Sequence, residues 1–115
     1  MKPSYYAIIP AEVRYSNLKP NAKLLYGEIT ALSSKEGYCF ATNNYFAKLY
    51  NVTKNTISLW VSQLHSYGFI SVELIKKGEQ ITERRIGITK KDDRANIKND
   101  ELKTTRINNT TNISN

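Results

Sequence analysis

The 115-residue sequence has a single cysteine, Cys39, and a single histidine, His65. No disulfide can close within the chain, and a metal site would need more thiolate or imidazole ligands than these. Cys39 lies in an apolar run, Tyr38-Cys39-Phe40-Ala41, and reads as a small core residue. His65 reads as an exposed position near a helix end, where its partial positive character suits the dipole. No apolar run is long enough to span a membrane. Met1-Lys2-Pro3-Ser4 is followed by only five residues before Pro10, too few for a signal peptide. The expected localisation is therefore cytoplasmic. Catalytic patterns are also missing. Glu12, Glu28, Glu36, Glu73, Glu79 and Glu83 are scattered, with no paired carboxylates, no Ser/His/Asp or Cys/His constellation and no phosphate-cradling glycine loop. Neither an enzyme nor a cofactor is expected.

Acid is scarce. Seventeen Lys and Arg face ten Asp and Glu, for a formal net charge of +7 and a pI near 9.5. From Asp92 to Asn115 the charges cancel: Arg94, Lys98, Lys103 and Arg106 against Asp92, Asp93, Asp100 and Glu101. The surplus belongs to residues 1–91. A basic domain with a neutral tail points to a polyanion partner. A soluble domain that merely happens to be basic has the same charge, and charge alone does not separate the two.

The stretch from Ala41 to Gly68 organises the chain. Thr42, Asn43 or Asn44 can cap a short helix by accepting an orphan N–H, and Phe46, Ala47, Leu49 and Tyr50 supply its apolar face. Asn51-Val52 makes a turn, where Asn tolerates left-handed backbone. Thr53 is the next N-cap. Ile57, Trp60, Val61 and Leu64 fall at i, i+3, i+4 and i+7 and form one apolar stripe. Gly68 stands where a C-terminal cap belongs. Helix, tight turn and helix is the layout of a helix-turn-helix.

The outer face of the second helix is small and polar, with Lys54, Asn55, Thr56, Ser58, Ser62 and Gln63, and no acid occurs from Lys54 to Tyr67. These donors and acceptors are short enough to reach base edges, and phosphates would repel acids. The alternative is a plain solvated surface of a small helical domain.

Upstream, Tyr5 to Ile9 is β-prone and apolar; it packs along the domain or pairs with a partner chain. Pro10 can start a helical turn through Tyr15. Pro20 to Leu32 is a helix with Leu24, Leu25, Ile29 and Leu32 on a broad apolar face. Gly27 inside it costs about 1 kcal/mol relative to Ala, so a close approach, such as that of a neighbouring helix, is expected there. Ser33 to Gly37 is a turn, and Tyr38 to Ala41 a short strand. After Gly68 the period becomes two. Ile70, Val72 and Leu74 alternate with Ser71, Glu73 and Ile75. Lys76 to Gln80 is a turn around Gly78, and Thr82 to Ile88 returns with Ile86 and Ile88 inward.

The expected fold class is α+β, mainly α: a winged helix-turn-helix with a two- to three-stranded wing sheet. The expected divisions are an N-terminal arm at 1–19, the winged domain at 20–89, and a disordered Asn/Thr-rich linker or tail at 90–115, where large apolar residues are sparse. Such a tail belongs either to the front part of a longer protein or to a short protein that ends in a solvated segment.

In the major groove, a recognition helix brings its first exposed side chains to the bases. Here these are Lys54, Asn55, Thr56 and Ser58, with Ser62 and Gln63 a turn on. Asn55 suits adenine, Lys54 guanine and Thr56 a thymine methyl. Thr56 also stands three residues after Thr53, where its role can be purely structural. Leu59 borders this surface, as a base contact or as an edge-of-core residue. Lys76, Lys77 and Gln80 at the wing, with Arg84 and Arg85 behind them, can hold phosphates. Arg84 shares the parity of Ile86 and Ile88, so its stem is expected to be partly buried. Lys48, Lys19 and Lys23 are further backbone contacts or simply solubilising charges. If about five or six phosphates are neutralised, log K falls with log salt at a slope of roughly −5.

Two runs, Tyr5-Tyr6-Ala7-Ile8-Ile9-Pro10-Ala11-Glu12-Val13-Arg14-Tyr15 and Leu18-Lys19-Pro20-Asn21-Ala22-Lys23-Leu24-Leu25-Tyr26-Gly27-Glu28-Ile29, resemble the N-terminal winged-helix domain of phage and plasmid replication proteins of Gram-positive bacteria, the replisome organisers and DnaD-like initiators. Gly37 to Ala41 and Val52 to Ile70 continue the resemblance, which spans about residues 4–89. It implies an origin-recognising domain on double-stranded DNA, often a homodimer, followed by a linker to a region that recruits replication proteins. Two departures stand out. Leu59, and often Asn55, occupy positions where relatives place a basic residue, and no recruiting domain follows the tail.

A winged-helix transcription regulator of a mobile element would bind DNA in the same way. A protein-binding adaptor on this fold would instead use Tyr5, Tyr6, Ile8 and Ile9, a surface that would also suit a homodimer.

Overall fold

The computed structural model describes residues 5–89; the expected disordered tail lies outside them. The elements run α1 (Ala11–Arg14), α2 (Pro20–Ser33), α3 (Asn43–Tyr50), α4 (Lys54–Ser66), β1 (Ile70–Lys77) and β2 (Gln80–Ile88). β1 and β2 form an antiparallel hairpin. The result is a mainly helical α+β fold of the winged-helix kind.

The starts and stops follow local chemistry. Pro20 occupies the first turn of α2, where its missing N–H costs nothing. Pro10 precedes α1 as its N-cap. Gly37 takes a φ of +84° after α2, a conformation that favours glycine. The core collects the apolar sides of all the helices: Val13, Leu25, Ile29, Phe46, Ile57 and Leu64 are fully buried. Each such side chain stabilises the fold by about 1.5–3 kcal/mol. Tyr26 meets Phe69 edge-on at 6.3 Å, an arrangement that suits the ring quadrupoles. Cys39 is fully buried, as its apolar context indicates, and burial pushes its thiol above the ordinary value.

Three details differ from the sequence expectations. The Tyr38–Ala41 strand shrinks to a bridge at Cys39, whose N–H and C=O pair with Ile86 at 2.8 and 2.7 Å. The sheet has two strands with this bridge beside them. Leu74 is 48 % exposed rather than inward. Its cross-strand partner is Arg84, and a register shift follows between Ile75 and Lys76. Leu24 is exposed as well, because the buried side of α2 centres on Ala22, Leu25, Tyr26 and Ile29.

Gly27 is a point of close approach, but the neighbour is the arm, not a helix. A Cβ at Gly27 would stand 2.9 Å from the Ala7 Cβ and 3.1 Å from the Ile9 Cγ1. The arm is pinned there by a hydrogen bond to Thr30, whose own hydroxyl is held within α2. The Ile8 N–H donates to the Thr30 Oγ1 at 3.3 Å, and the Thr30 hydroxyl donates to the Gly27 carbonyl at 2.6 Å. Alternation along the extended arm turns Tyr6 and Ile8 outward.

Glu28 joins three segments. Its carboxylate accepts hydrogen bonds from the Tyr5 hydroxyl of the arm and from the Tyr50 hydroxyl of α3, the latter at 3.0 Å. Burial first, and the Glu28 carboxylate beside it, hold both phenols well above their ordinary value. A folded-state value above the unfolded one means that the unfolded chain ionises first as pH rises past about 10. Stability from this cluster is therefore present below that pH and lost above it. Tyr50→Phe is expected to lose stability less steeply than the unmodified protein between about pH 10 and 12. Denaturant titrations across that range test this; parallel declines would show that the Tyr50 phenol does not retain its proton in the fold.

Candidate nucleic-acid interface

The unit α3–turn–α4 is built from its caps. The Thr42 side chain accepts the Tyr45 N–H at 3.1 Å and starts α3. Asn51 ends α3 in left-handed backbone, φ +58° and ψ +50°; among the described non-glycine residues it alone has positive φ. The Val52 N–H reaches back to the Ala47 carbonyl at 2.9 Å. Thr53 then caps α4, its Oγ1 accepting the Thr56 N–H at 3.1 Å. At the far end Gly68 takes φ +77°. The Gly68 N–H bonds the His65 carbonyl at 2.9 Å and the Phe69 N–H bonds the Leu64 carbonyl at 3.0 Å, the paired closure of a Schellman end.

The stripe of α4 is buried: Ile57 and Leu64 completely, Trp60 and Val61 to 7 % exposure. Trp60 meets Tyr50 of α3 edge-on at 6.3 Å. With 3.6 residues per turn, this leaves Asn55, Leu59 and Ser62 on the side away from the core. Lys54, Asn55, Ser58, Leu59 and Ser62 are exposed. Leu59 is therefore a surface residue at the middle of the outer face rather than an edge of the core. Ser66, four residues after Ser62, extends the same exposed face; the 3.6-residue period already placed it there. Thr56 is half-buried, and its Oγ1 lies 2.9 Å from the Thr53 Oγ1, so it serves the cap. Gln63 is also half-buried, with its Oε1 enclosed and without a hydrogen-bond partner among the described residues.

The hairpin places its basic residues differently from the sequence expectation in one respect. Gly78-Glu79 is the two-residue turn, with Gly78 at φ +66°, as a type II′ hairpin requires of its first turn residue. Lys76 and Lys77 end β1, both exposed, and as neighbours in a strand they point to opposite faces. Arg84 does not face outward to phosphates. Its guanidinium donates to the Asn43 Oδ1 at 2.7 Å and to the Ala41 carbonyl at 2.9 Å, and partial burial lowers its pKa from the ordinary value. It braces β2 against the start of α3. Arg85, on the other face, pairs with the Glu83 Oε2 at 2.8 Å and lies over the Tyr38 ring at 4.6 Å. Lys23 donates to the Arg14 carbonyl at 2.7 Å, while Lys19 and Lys48 are exposed.

A capped, rigid pair of helices with one outward face invites comparison with known families. Residues 16–70 match the family model described as a helix-turn-helix domain. That match supports a DNA-binding domain, and it ends at Ile70, before most of the hairpin. No curated protein and no solved structure shows significant similarity to the chain. Among the described residues no helix is long and apolar enough to cross a membrane, and no cluster of His, Cys, Asp and Glu could hold a metal ion.

Arg84→Ala is expected to destabilise the fold by about 1.5–3 kcal/mol, the range for hydrogen bonds to a charged group. Asn43→Ala should cost less, since the Ala41 carbonyl still receives the guanidinium. Denaturant unfolding of both single variants and the double variant measures their coupling; additivity within about 0.5 kcal/mol would show that the Arg84–Asn43 bond contributes nothing.

Proposed function

We propose that this protein binds double-stranded DNA sequence-specifically, with α4 in the major groove and the hairpin as a wing on the backbone. The observation that carries this is the outer face of α4. It is exposed, free of acid, and held on a capped helix whose opposite stripe is fully engaged in the core. Asn55, Ser58, Leu59 and Ser62, with Lys54 at the helix start, are the base-reading set. Thr56 and Gln63 flank it; Thr56 is engaged in the cap with Thr53, and Gln63 is half-buried with its Oε1 unpartnered among the described residues. Lys48, Lys76, Lys77 and Arg85 are the backbone set, Arg85 with its charge shared by Glu83. Arg84 acts through the brace it makes. The protein is a binding module rather than a catalyst, and a chromosomal or episomal ligand makes it cytoplasmic.

The biological setting we infer is origin recognition in phage or plasmid replication. Its support is the resemblance carried by the runs 5–15 and 18–29, which also implies replication proteins as further partners. A transcription regulator of a mobile element would use the same face of α4. A homodimer through the arm is favoured by one feature: Tyr6 and Ile8 are 91 % and 66 % exposed on its outer side. The same residues would serve an adaptor that binds another protein.

Selection from a random duplex library with the full chain, followed by titration of selected sequences at several salt concentrations, tests the reading. A recovered motif with a log–log salt slope of roughly −4 is expected if about four or five phosphates are neutralised. Asn55→Ala should relax the base preference more than it weakens non-specific binding; equal losses on selected and random DNA would remove its reading role. Changing Lys76 and Lys77 together to Ala should weaken binding to all sequences and flatten the slope by about 2. An unchanged slope would take the wing out of the interface, and motif-free binding would move the adaptor reading to the front.

A further inference from the structure

Leu59 is the large apolar residue of α4 that the core does not take. It is 56 % exposed, whereas Ile57, Trp60, Val61 and Leu64 are all at 7 % or below. A lone exposed leucine is ordinary on a protein surface. Its position gives it meaning here. It lies four residues after Asn55 and three before Ser62, so these three share one face, and small or amide side chains surround it. Between Lys54 and His65 the helix carries no charged residue. The middle of the outer face thus offers no guanidinium or ammonium to the guanine O6 and N7, the pair of acceptors that basic side chains read. It offers an amide, hydroxyls and one branched apolar group.

The major groove displays one apolar feature among its base edges, the C5-methyl of thymine. An amide presented beside it matches the adenine N6 and N7. We infer that Leu59 packs on a thymine C5-methyl while Asn55 reads a neighbouring adenine, so that the site recognised is centred on A·T pairs. This rests on the DNA-binding reading above and specifies its target. The aliphatic side chain gains from covering a methyl that water otherwise surrounds, and a cytosine at the same place presents no methyl and an amino donor that leucine cannot accept. Leu59 is therefore a specificity-determining residue, and its neutrality lets Lys48 and the wing supply the phosphate attraction without drawing the middle of α4 toward guanine.

Uracil tests this directly, because it removes the methyl and keeps the pairing. Thymines of a selected duplex are replaced one at a time by deoxyuridine, and the full chain and its Leu59→Ala and Leu59→Met variants are titrated against each duplex. The unmodified protein should lose about fourfold in affinity at one or two positions, the equivalent of one buried methyl. Leu59→Ala should bind the thymine and uracil duplexes equally well, and Leu59→Met should retain part of the discrimination. Both variants change an exposed side chain, so a fold unaltered by circular dichroism is expected. Methylating the cytosines of the same duplex at C5 should leave affinity unchanged. Tolerance of uracil at every position, or discrimination that survives in Leu59→Ala, would overturn the inference while leaving a recovered motif, and hence the DNA-binding reading, intact. A gain on cytosine methylation would overturn the A·T assignment. Failure to bind any duplex would overturn both readings together.

Discussion

Burial of one stripe of α4 governs the rest of the molecule. Ile57, Trp60, Val61 and Leu64 lock that helix against its neighbours, and a helix is rigid enough that fixing one side aims the other. The caps matter because they keep this aim. Left-handed Asn51 and the Thr53 hydroxyl set where α4 begins, and Gly68 sets where it ends and the hairpin starts. Without that closure the strand register would have no fixed origin relative to the exposed face.

Polar contacts then attach the parts that the core cannot hold. The arm offers only Ala7 and Ile9 to the notch at Gly27, and Tyr5 secures it through Glu28. The segment before α3 offers one bridge at Cys39, and Arg84 secures the hairpin beside it through Asn43 and Ala41. In both places a polar side chain adds to the apolar and backbone contacts that hold an outlying segment on the helices. Partial desolvation makes such bonds stronger than they would be in open water.

These braces also divide the charge. A net +7 suggests a uniformly basic surface, yet Arg84, Arg85 and Lys23 are engaged within the fold. Lys48, Lys54, Lys76 and Lys77 remain exposed. A polyanion would meet two clusters, one at the helix-turn-helix and one at the hairpin end. The outer face of α4 from Asn55 to Leu64 carries no charged residue. On DNA, such a separation would let backbone attraction and base choice reside in different residues.

Periodicity and cap chemistry are local, which is why so much was legible in the chain. The stripe of α4, the cap at Thr53, the turn at Asn51 and the Schellman glycine each depend on a few neighbouring residues, and the sequence determined them; it left the first cap open among Thr42, Asn43 and Asn44, and it centred the hairpin turn on Gly78 without its two-residue length. Cys39 as a core residue and Pro20 at a helix start follow from the same kind of reasoning. Contacts between distant segments have no such local signature. That Gly27 receives the arm, that Leu74 is left half in solvent, that Arg84 finds its partner in Asn43 forty-one residues away and that Leu59 stands at the centre of the exposed face were decided by how the elements pack. Periodicity states which residues share a side; only tertiary structure decides which sides are covered, because burial is a property of two surfaces and a sequence pattern describes one.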